Sequence, residues 1–166
     1  HPDDPELHHH LVHRGAGALS QITTARYEAA RETVRRFVGG RTDDTVVFTR
    51  NTTDAINLAA HAVPGDTVVL DIEHHANLLP WQRTGRARIV TAAPTFEETI
   101  EALEAELASA PAALLAVTAA SNVTGEVLPI HRLAAVAHRH GARILVDAAQ
   151  LVAHRPISLA GYGIDY

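Results

Sequence analysis

The stretch Arg143-Ile144-Leu145-Val146-Asp147 decides the fold class of this 166-residue chain. Three apolar residues between charged ends predict a short strand that is buried on both faces. Similar apolar runs alternate with helical patterns earlier in the chain, and the predicted elements are residues 67–70, 75–82, 87–90, 96–108, 113–118 and 129–140. Because buried strands that alternate with helices form covered parallel sheets, the sequence predicts an α/β domain with three α/β/α layers and a mainly parallel sheet.

The N-terminal part of the chain has a different pattern. Residues 1–20 are rich in histidine and polar residues, which predicts an extended lead-in. Helical spacing predicts a helix over residues 21–38, and an apolar run predicts a strand over residues 45–49. We therefore divide the chain into an N-terminal segment, 1–20, and one domain, 21–166. The last four residues are typical of the start of a further strand, so we expect the domain to be incomplete.

Composition excludes several classes of protein. The chain is 46% hydrophobic and 20% charged, with a net charge of −5 and no cysteine. An acidic balance without basic clusters argues against a nucleic-acid or membrane surface, and the lack of cysteine excludes thiolate chemistry within this chain. The apolar runs are shorter than the roughly 18 residues that a membrane span needs. These features predict a cytoplasmic protein.

Polar residues follow several of the predicted strands. In parallel sheets the carboxyl ends of the strands meet at one edge, where ligands bind. Asp147 ends a buried strand and needs a partner there, and the N–H of a pyridinium ring is a suitable one. Gln150, three residues later, can donate to an oxygen on the same ring. The alternative is that Asp147 caps a following helix.

Three further motifs belong to the same edge. Thr52 and Thr53 open a predicted helix directly after a strand, which suits a phosphate, although simple N-capping is the alternative. His74 can stack on an aromatic cofactor and transfer protons, whereas the alternatives are a surface histidine pair with His75 or metal ligation. Asn122 can bond a cofactor oxygen or a substrate carboxylate, or it can be a turn residue. Together these residues indicate a site for pyridoxal 5'-phosphate (PLP).

The order and spacing of these motifs resemble the class V aminotransferases of PLP fold type I, most closely the cysteine desulfurase and selenocysteine lyase branch. The most specific part is Glu73-His74-His75-Ala76-Asn77, followed by Pro80-Trp81-Gln82. The other matching strings are residues 13–15, 27–31, 48–57, 121–125, 140–142 and 146–150.

The resemblance implies a role for each site residue. His74 stacks on the PLP ring and is the catalytic residue of this span, Thr53 and the backbone around Thr52 hold the phosphate, and no metal is involved. The remaining contacts are Asn122 and Gln150 on the ring-oxygen side and Asp147 on the pyridine nitrogen. The implied activity is that of a homodimeric enzyme that removes sulfur from cysteine, giving alanine, with a possible sulfur-acceptor protein as partner.

The family binds PLP through a lysine, but all 14 basic residues of this chain are arginine. By the resemblance, that lysine lies in a Ser-x-His-Lys motif beyond Tyr166, and the desulfurase cysteine and the carboxylate-binding arginine lie further on. We therefore expect this span alone to be inactive.

Other functions stay open on the sequence. Thr124 and Glu126 differ from the commoner desulfurase string, so a class V aminotransferase or epimerase of other specificity is one alternative. A non-catalytic α/β domain that binds a phosphorylated ligand is a second, and a histidine-based metallohydrolase is a third.

Overall fold

The computed structural model describes residues 17–121 and 125–166, and the chain divides into two compact units, His1–Val47 and Phe48–Tyr166. In the first unit, helix α1 (Ala18–Phe37) begins three residues before its predicted start and buries none of its residues. Its C-terminal end is held by Arg35, which donates to the carbonyl oxygens of Gly40 and Arg41 over 3.0 and 2.8 Å. Up to residue 16 the predicted extended segment lies outside the described residues and stays a prediction, whereas residues 18–20 of it belong to α1.

The second unit is built around a parallel sheet. Its elements are α2 (Thr52–Ala62), β1 (Thr67–Leu70), α3 (His75–Arg83), β2 (Ala87–Val90), α4 (Phe96–Ser109), β3 (Leu114–Thr118), α5 (Ile130–Arg139), β4 (Arg143–Asp147) and α6 (Leu159–Tyr162). The strands pair in the order β2-β1-β3-β4, and every pairing between them is parallel. The predicted α/β class and parallel sheet are confirmed.

The helices pack as pairs on the two faces of this sheet. Helix α2 contacts α3, and α4 contacts α5. Alternate strand residues point to opposite faces. Val69, Ala116 and Leu145 join Ile56 of α2 and Trp81 of α3 in one buried cluster. All four residues of β1 are buried, which explains why its sequence is apolar without alternation.

The far edge of β4 is also engaged. Tyr166 donates its N–H to the carbonyl oxygen of Ile144, and Val146 donates to the carbonyl oxygen of Tyr166, over 3.1 and 2.9 Å. These two bonds have the pattern of a parallel pair. The predicted strand character of the last residues is therefore visible as a short contact beside β4.

One sequence prediction about elements was wrong, and one helix was not predicted. The apolar run 45–49 forms no strand among the described residues. Its β-branched residues favour extended backbone, but a strand also needs a neighbouring strand to bond its backbone groups. Helix α6 was missed, because its four residues are too few to carry a helical period. Within the described ranges, no helix has both the length and the apolar character that crossing a membrane requires.

Candidate active site at the carboxyl edge of the sheet

An open cleft of about 220 Å³ lies at the carboxyl edge of the sheet. It is lined by Asn51, Thr52, Thr53, His74, Ala76, Thr118, Ala120, Asp147, Ala149 and Gln150. Five of the six residues predicted for the site thus surround one space, although up to 98 positions separate them in the sequence (from 52 to 150). The sixth, Asn122, lies outside the described residues.

One wall of the cleft is the N-terminus of α2. Asn51 is the N-cap residue, because its Oδ1 accepts the N–H of Asp54 over 2.8 Å. Capping by Thr52 or Thr53, the alternative considered above, is therefore wrong. The backbone N–H groups of these two threonines belong to the first turn, which has no intrahelical acceptors for them. With the positive end of the helix dipole, this wall suits an anion such as a phosphate.

His74 stands at the start of α3. Its Nδ1 accepts the N–H of Ala76 over 3.1 Å, so the neutral ring carries its proton on Nε2. The side chain is exposed at the cleft, and its ring centroid lies 6.3 Å from that of His75 at a tilt of 43°. The helix cap therefore fixes one ring nitrogen and leaves the other nitrogen and the ring face open to a ligand.

Asp147 is 8% exposed at the floor of the cleft. Its Oδ1 accepts the N–H of Ala149 over 3.0 Å, and no described residue donates to Oδ2. Turns follow directly, so the alternative of a helix cap is wrong. A buried carboxylate oxygen without a donor is costly, and a ligand N–H would remove that cost. Asp147 therefore fits the pyridine nitrogen of PLP, and exposed Gln150 stands beside it in the lining.

Sequence reasoning assigned no role to two polar residues at this edge, Glu73 and Thr118. Glu73 is 7% exposed and accepts hydrogen bonds from Asn77 and from both the backbone N–H and the hydroxyl of Thr118. Burial raises the pKa of Glu73 above its usual value, the bonds from Thr118 and Asn77 oppose that rise, and the negative charge of Asp147 adds to it. The spacing of Asn77 and Trp81, four residues apart on one side of α3, with Glu73 four residues before Asn77, was the available signal.

Among the residues that the structure describes, no three His, Asp or Glu side chains are grouped closely enough to hold a metal ion. The histidines at positions 8, 9, 10 and 13 lie outside this part of the chain.

Comparisons with known proteins agree on one family. The sequence model described as "Aminotransferase class-V" matches residues 6–166. A protein of Mycolicibacterium paratuberculosis named "Probable cysteine desulfurase" is 40% identical over 169 residues, covering 93% of this chain and 24% of that protein. A cysteine desulfurase of Klebsiella pneumoniae is 38% identical over 167 residues, covering 93% of this chain and 41% of that protein.

Solved structures give the same result. The cysteine desulfurase CsdA of Escherichia coli superposes with a TM-score of 0.73 at 35% identity, over 93% of this chain and 42% of that one. The cysteine desulfurase of Thermococcus onnurineus gives 0.78 at 32% identity, over 94% and 42%. The chain thus spans less than half the length of these relatives. Its sheet, its carboxyl-edge cleft and the family match over nearly its whole length together establish that the chain belongs to the class V aminotransferase family.

Proposed function

We propose that the protein to which this chain belongs is a PLP-dependent enzyme that removes the sulfur of cysteine, leaving alanine. The observation that carries the proposal is the buried, half-satisfied carboxylate of Asp147, which faces the α2 N-terminus across one cleft. An anion site and a carboxylate in one cleft match the phosphate and the ring nitrogen of PLP. The names of the relatives support cysteine as the substrate.

Each residue then has a defined task. The N–H groups and hydroxyls of Thr52 and Thr53 bind the phosphate, and Asp147 holds a proton on the pyridine nitrogen. PLP, when bound, supplies a ring that accepts the electrons released at the substrate's α-carbon. The ring of His74 stacks on the face of the cofactor, and its Nε2 takes part in proton transfer. Gln150 donates to the ring oxygen, a task that Asn122 shares.

The wider predictions belong to the same proposal. The enzyme is a cytoplasmic homodimer that acts on a free amino acid and passes the sulfur to an acceptor protein. It binds neither nucleic acid nor membrane. A measurement of the mass of the native assembly tests the dimer, and a monomer that is fully active would contradict it.

The decisive experiment is a PLP titration of the full-length apo-protein, followed by absorbance. Asp147→Ala is expected to raise the Kd for PLP by roughly 10- to 150-fold, because a charge-assisted hydrogen bond contributes about 1.5–3 kcal/mol. The control is Glu101→Gln on the exposed side of α4, which should bind as the wild type does. An unchanged Kd for Asp147→Ala would favour a domain that binds only the phosphate group.

Product analysis tests the reaction. Incubation of the loaded enzyme with cysteine is expected to give alanine in amounts equal to the sulfur released. A 2-oxo acid in place of alanine would indicate transamination, and racemised substrate would indicate epimerisation. A stoichiometric metal in the purified protein would instead support the metallohydrolase alternative.

A further inference from the structure

A chain of hydrogen bonds runs beneath the cleft and ends on Glu73. The indole Nε1 of Trp81 donates to Oδ1 of Asn77 over 3.1 Å, and Nδ2 of Asn77 donates to Oε2 of Glu73 over 2.9 Å. From the other side, the backbone N–H of Thr118 donates to Oε1 over 3.0 Å, and the Thr118 hydroxyl bonds Oε2. Trp81 and Asn77 are 1% and 0% exposed, so water does not compete for these bonds.

The direction of this chain is fixed by chemistry. An indole N–H can only donate, so the oxygen of the Asn77 amide must face Trp81. The amide nitrogen then faces Glu73 and can only donate to it. The backbone N–H of Thr118 is likewise a donor. Two N–H groups that can only donate therefore bond Glu73, and such donors favour the carboxylate over the neutral acid.

A carboxylate at this place decides what the Thr118 hydroxyl can do. A hydroxyl has one proton to donate, and the hydroxyl of Thr118 donates it in a hydrogen bond to an ionised Glu73. Thr118 lines the cleft, and toward any group there its hydroxyl oxygen can only accept. The hydroxyl has no proton left to donate to any other group.

Asp147 is the group that this affects. Thr118 and Asp147 are register partners in the parallel pair of β3 and β4, so their side chains are neighbours on the same face of the sheet. That face is the one against α2 and α3, since Ala116 and Leu145 precede them by two residues and lie in that cluster. The hydroxyl of Thr118 could thus donate a hydrogen bond to the open Oδ2 of the neighbouring Asp147. Its hydrogen bond to Glu73 prevents this.

We propose that Glu73 is a positioning residue: it binds the hydroxyl proton of Thr118 and so keeps the carboxylate of Asp147 free to accept the protonated ring nitrogen of the cofactor. This inference rests on the proposed binding of PLP. It gives a function to the acid of the Glu-His-His-Ala-Asn string, which the roles of His74, Thr52 and Thr53 leave unexplained.

The test is a double-mutant cycle on the full-length apo-protein, with the Kd for PLP as the readout. In Glu73→Gln, an amide N–H₂ in the place of Oε2 donates to the Thr118 oxygen and loses the bond from Asn77. The hydroxyl then turns toward Asp147, and the Kd is expected to rise roughly 3- to 30-fold, since a hydrogen bond to a charged group is displaced. In Thr118→Val no hydroxyl competes, so the Kd stays within about threefold of wild type although the melting temperature falls. The double variant is expected to bind like Thr118→Val alone.

Each other result has a defined meaning. An effect of Glu73→Gln that persists unchanged in the Thr118→Val background would overturn the inference, because Glu73 would then act through general packing. A tenfold loss in Thr118→Val alone would also overturn it, since the hydroxyl itself would then bind the cofactor. Glu101→Gln is the matched control.

A second readout covers a Glu73→Gln protein that does not fold. Thr118→Ser keeps the hydroxyl and its proton acceptor, so its Kd and the ¹⁵N shift of the bound pyridine nitrogen are expected to match wild type. A shift toward the unprotonated value in Thr118→Ser would contradict the inference. If the wild-type protein itself binds no PLP, the proposed function fails; if it binds and Glu73→Gln binds equally well, only the present inference fails.

Discussion

Two buried acids with opposite surroundings stand at the same edge of the sheet. The carboxylate of Glu73 accepts three hydrogen bonds from described residues, whereas the carboxylate of Asp147 accepts one. The first is therefore satisfied by the protein, and the second is left for a ligand. This difference supports the proposal that Glu73 shapes the site and that Asp147 contacts the cofactor.

The raised pKa of Glu73 predicts a pH dependence of stability. A carboxyl whose pKa is higher in the folded state adds stability below its usual value of 4.5, and this contribution is lost as the pH rises through the folded pKa. The Tm of the apo-protein relative to that of Glu73→Gln is therefore expected to fall as the pH rises above 4.5. Thermal melts of both proteins check this, and a difference that grows with pH would contradict it.

Two glycines form a matched pair for a backbone test. Gly65 has φ +99°, and a Cβ there would lie 2.9 Å from the Cβ of Ala113, whereas Gly85 has φ +71° with open space around it. Gly85→Ala is expected to cost only the left-handed backbone strain, about 1–2 kcal/mol. Gly65→Ala adds a steric clash and is expected to cost roughly 1 kcal/mol more. If urea unfolding gave the same loss of unfolding free energy for Gly65→Ala and Gly85→Ala, the loop before β3 would have to move without cost to relieve the clash.

At the residue scale the sequence identified groups that line the cleft, but not the residues that support them. Asp147 could be predicted, because an acid at the end of a buried strand needs a partner. The bond between Glu73 and Thr118 could not, because it depends on β1 and β3 being neighbours. That strand order skips β2 and is not visible in local periodicity.

Among the elements, strand β2 and helix α4 are joined by one side chain. Arg88 of β2 donates to the carboxylate of Glu106 over 2.6 Å and to the carbonyl oxygens of Glu106, Ala110 and Pro111. The last carbonyls of a helix lack intrahelical donors, so Arg88 satisfies the end of α4 as a C-terminal cap. Its side chain is 17% exposed, which protects these bonds from water.

Removal of this cap is expected to be costly. Arg88→Ala should lower the free energy of unfolding by about 2–3 kcal/mol, and Arg88→Lys should recover little, because an ammonium cannot reach several acceptors in a plane. The control is Arg132→Ala, which breaks a two-bond pair with Glu97 that is 43% and 67% exposed. That pair is expected to contribute less than about 1 kcal/mol. Urea melts that rank the two alanine variants equally would contradict the role of Arg88.

The predicted boundaries of elements were accurate where a capping residue or a proline marks the end of a helix. Thr95 caps α4 by accepting the N–H of Glu98, and the Thr-x-x-Glu spacing of residues 95–98 is the capping-box signal for such a helix start. Pro111 follows the end of the helix. The run 45–49 failed for the opposite reason, since apolar composition does not specify a partner strand. Local sequence therefore predicted what local interactions determine.

The whole molecule offers a test that links binding to stability. A ligand that binds only the folded state adds about 2.7 kcal/mol when it is present at 100 times its Kd. PLP is therefore expected to raise the Tm of the full-length apo-protein. In Asp147→Ala the same PLP concentration should give a much smaller rise, while Glu101→Gln should behave as the wild type. Equal shifts in all three proteins would contradict the contact between Asp147 and the ring.

The bonds between Glu73 and Thr118 join positions that are 45 residues apart. A ribosome that adds ~5–20 residues per second needs about 2–9 s to bridge that distance. Throughout this interval the newly made Glu73 remains hydrated, and the side of α3 that carries Asn77 and Trp81 has no β3 to cover it. The synthesis and docking of β3 therefore bury this carboxylate and remove its water. A ribosome paused before residue 118 would leave this side of α3 exposed to chaperones.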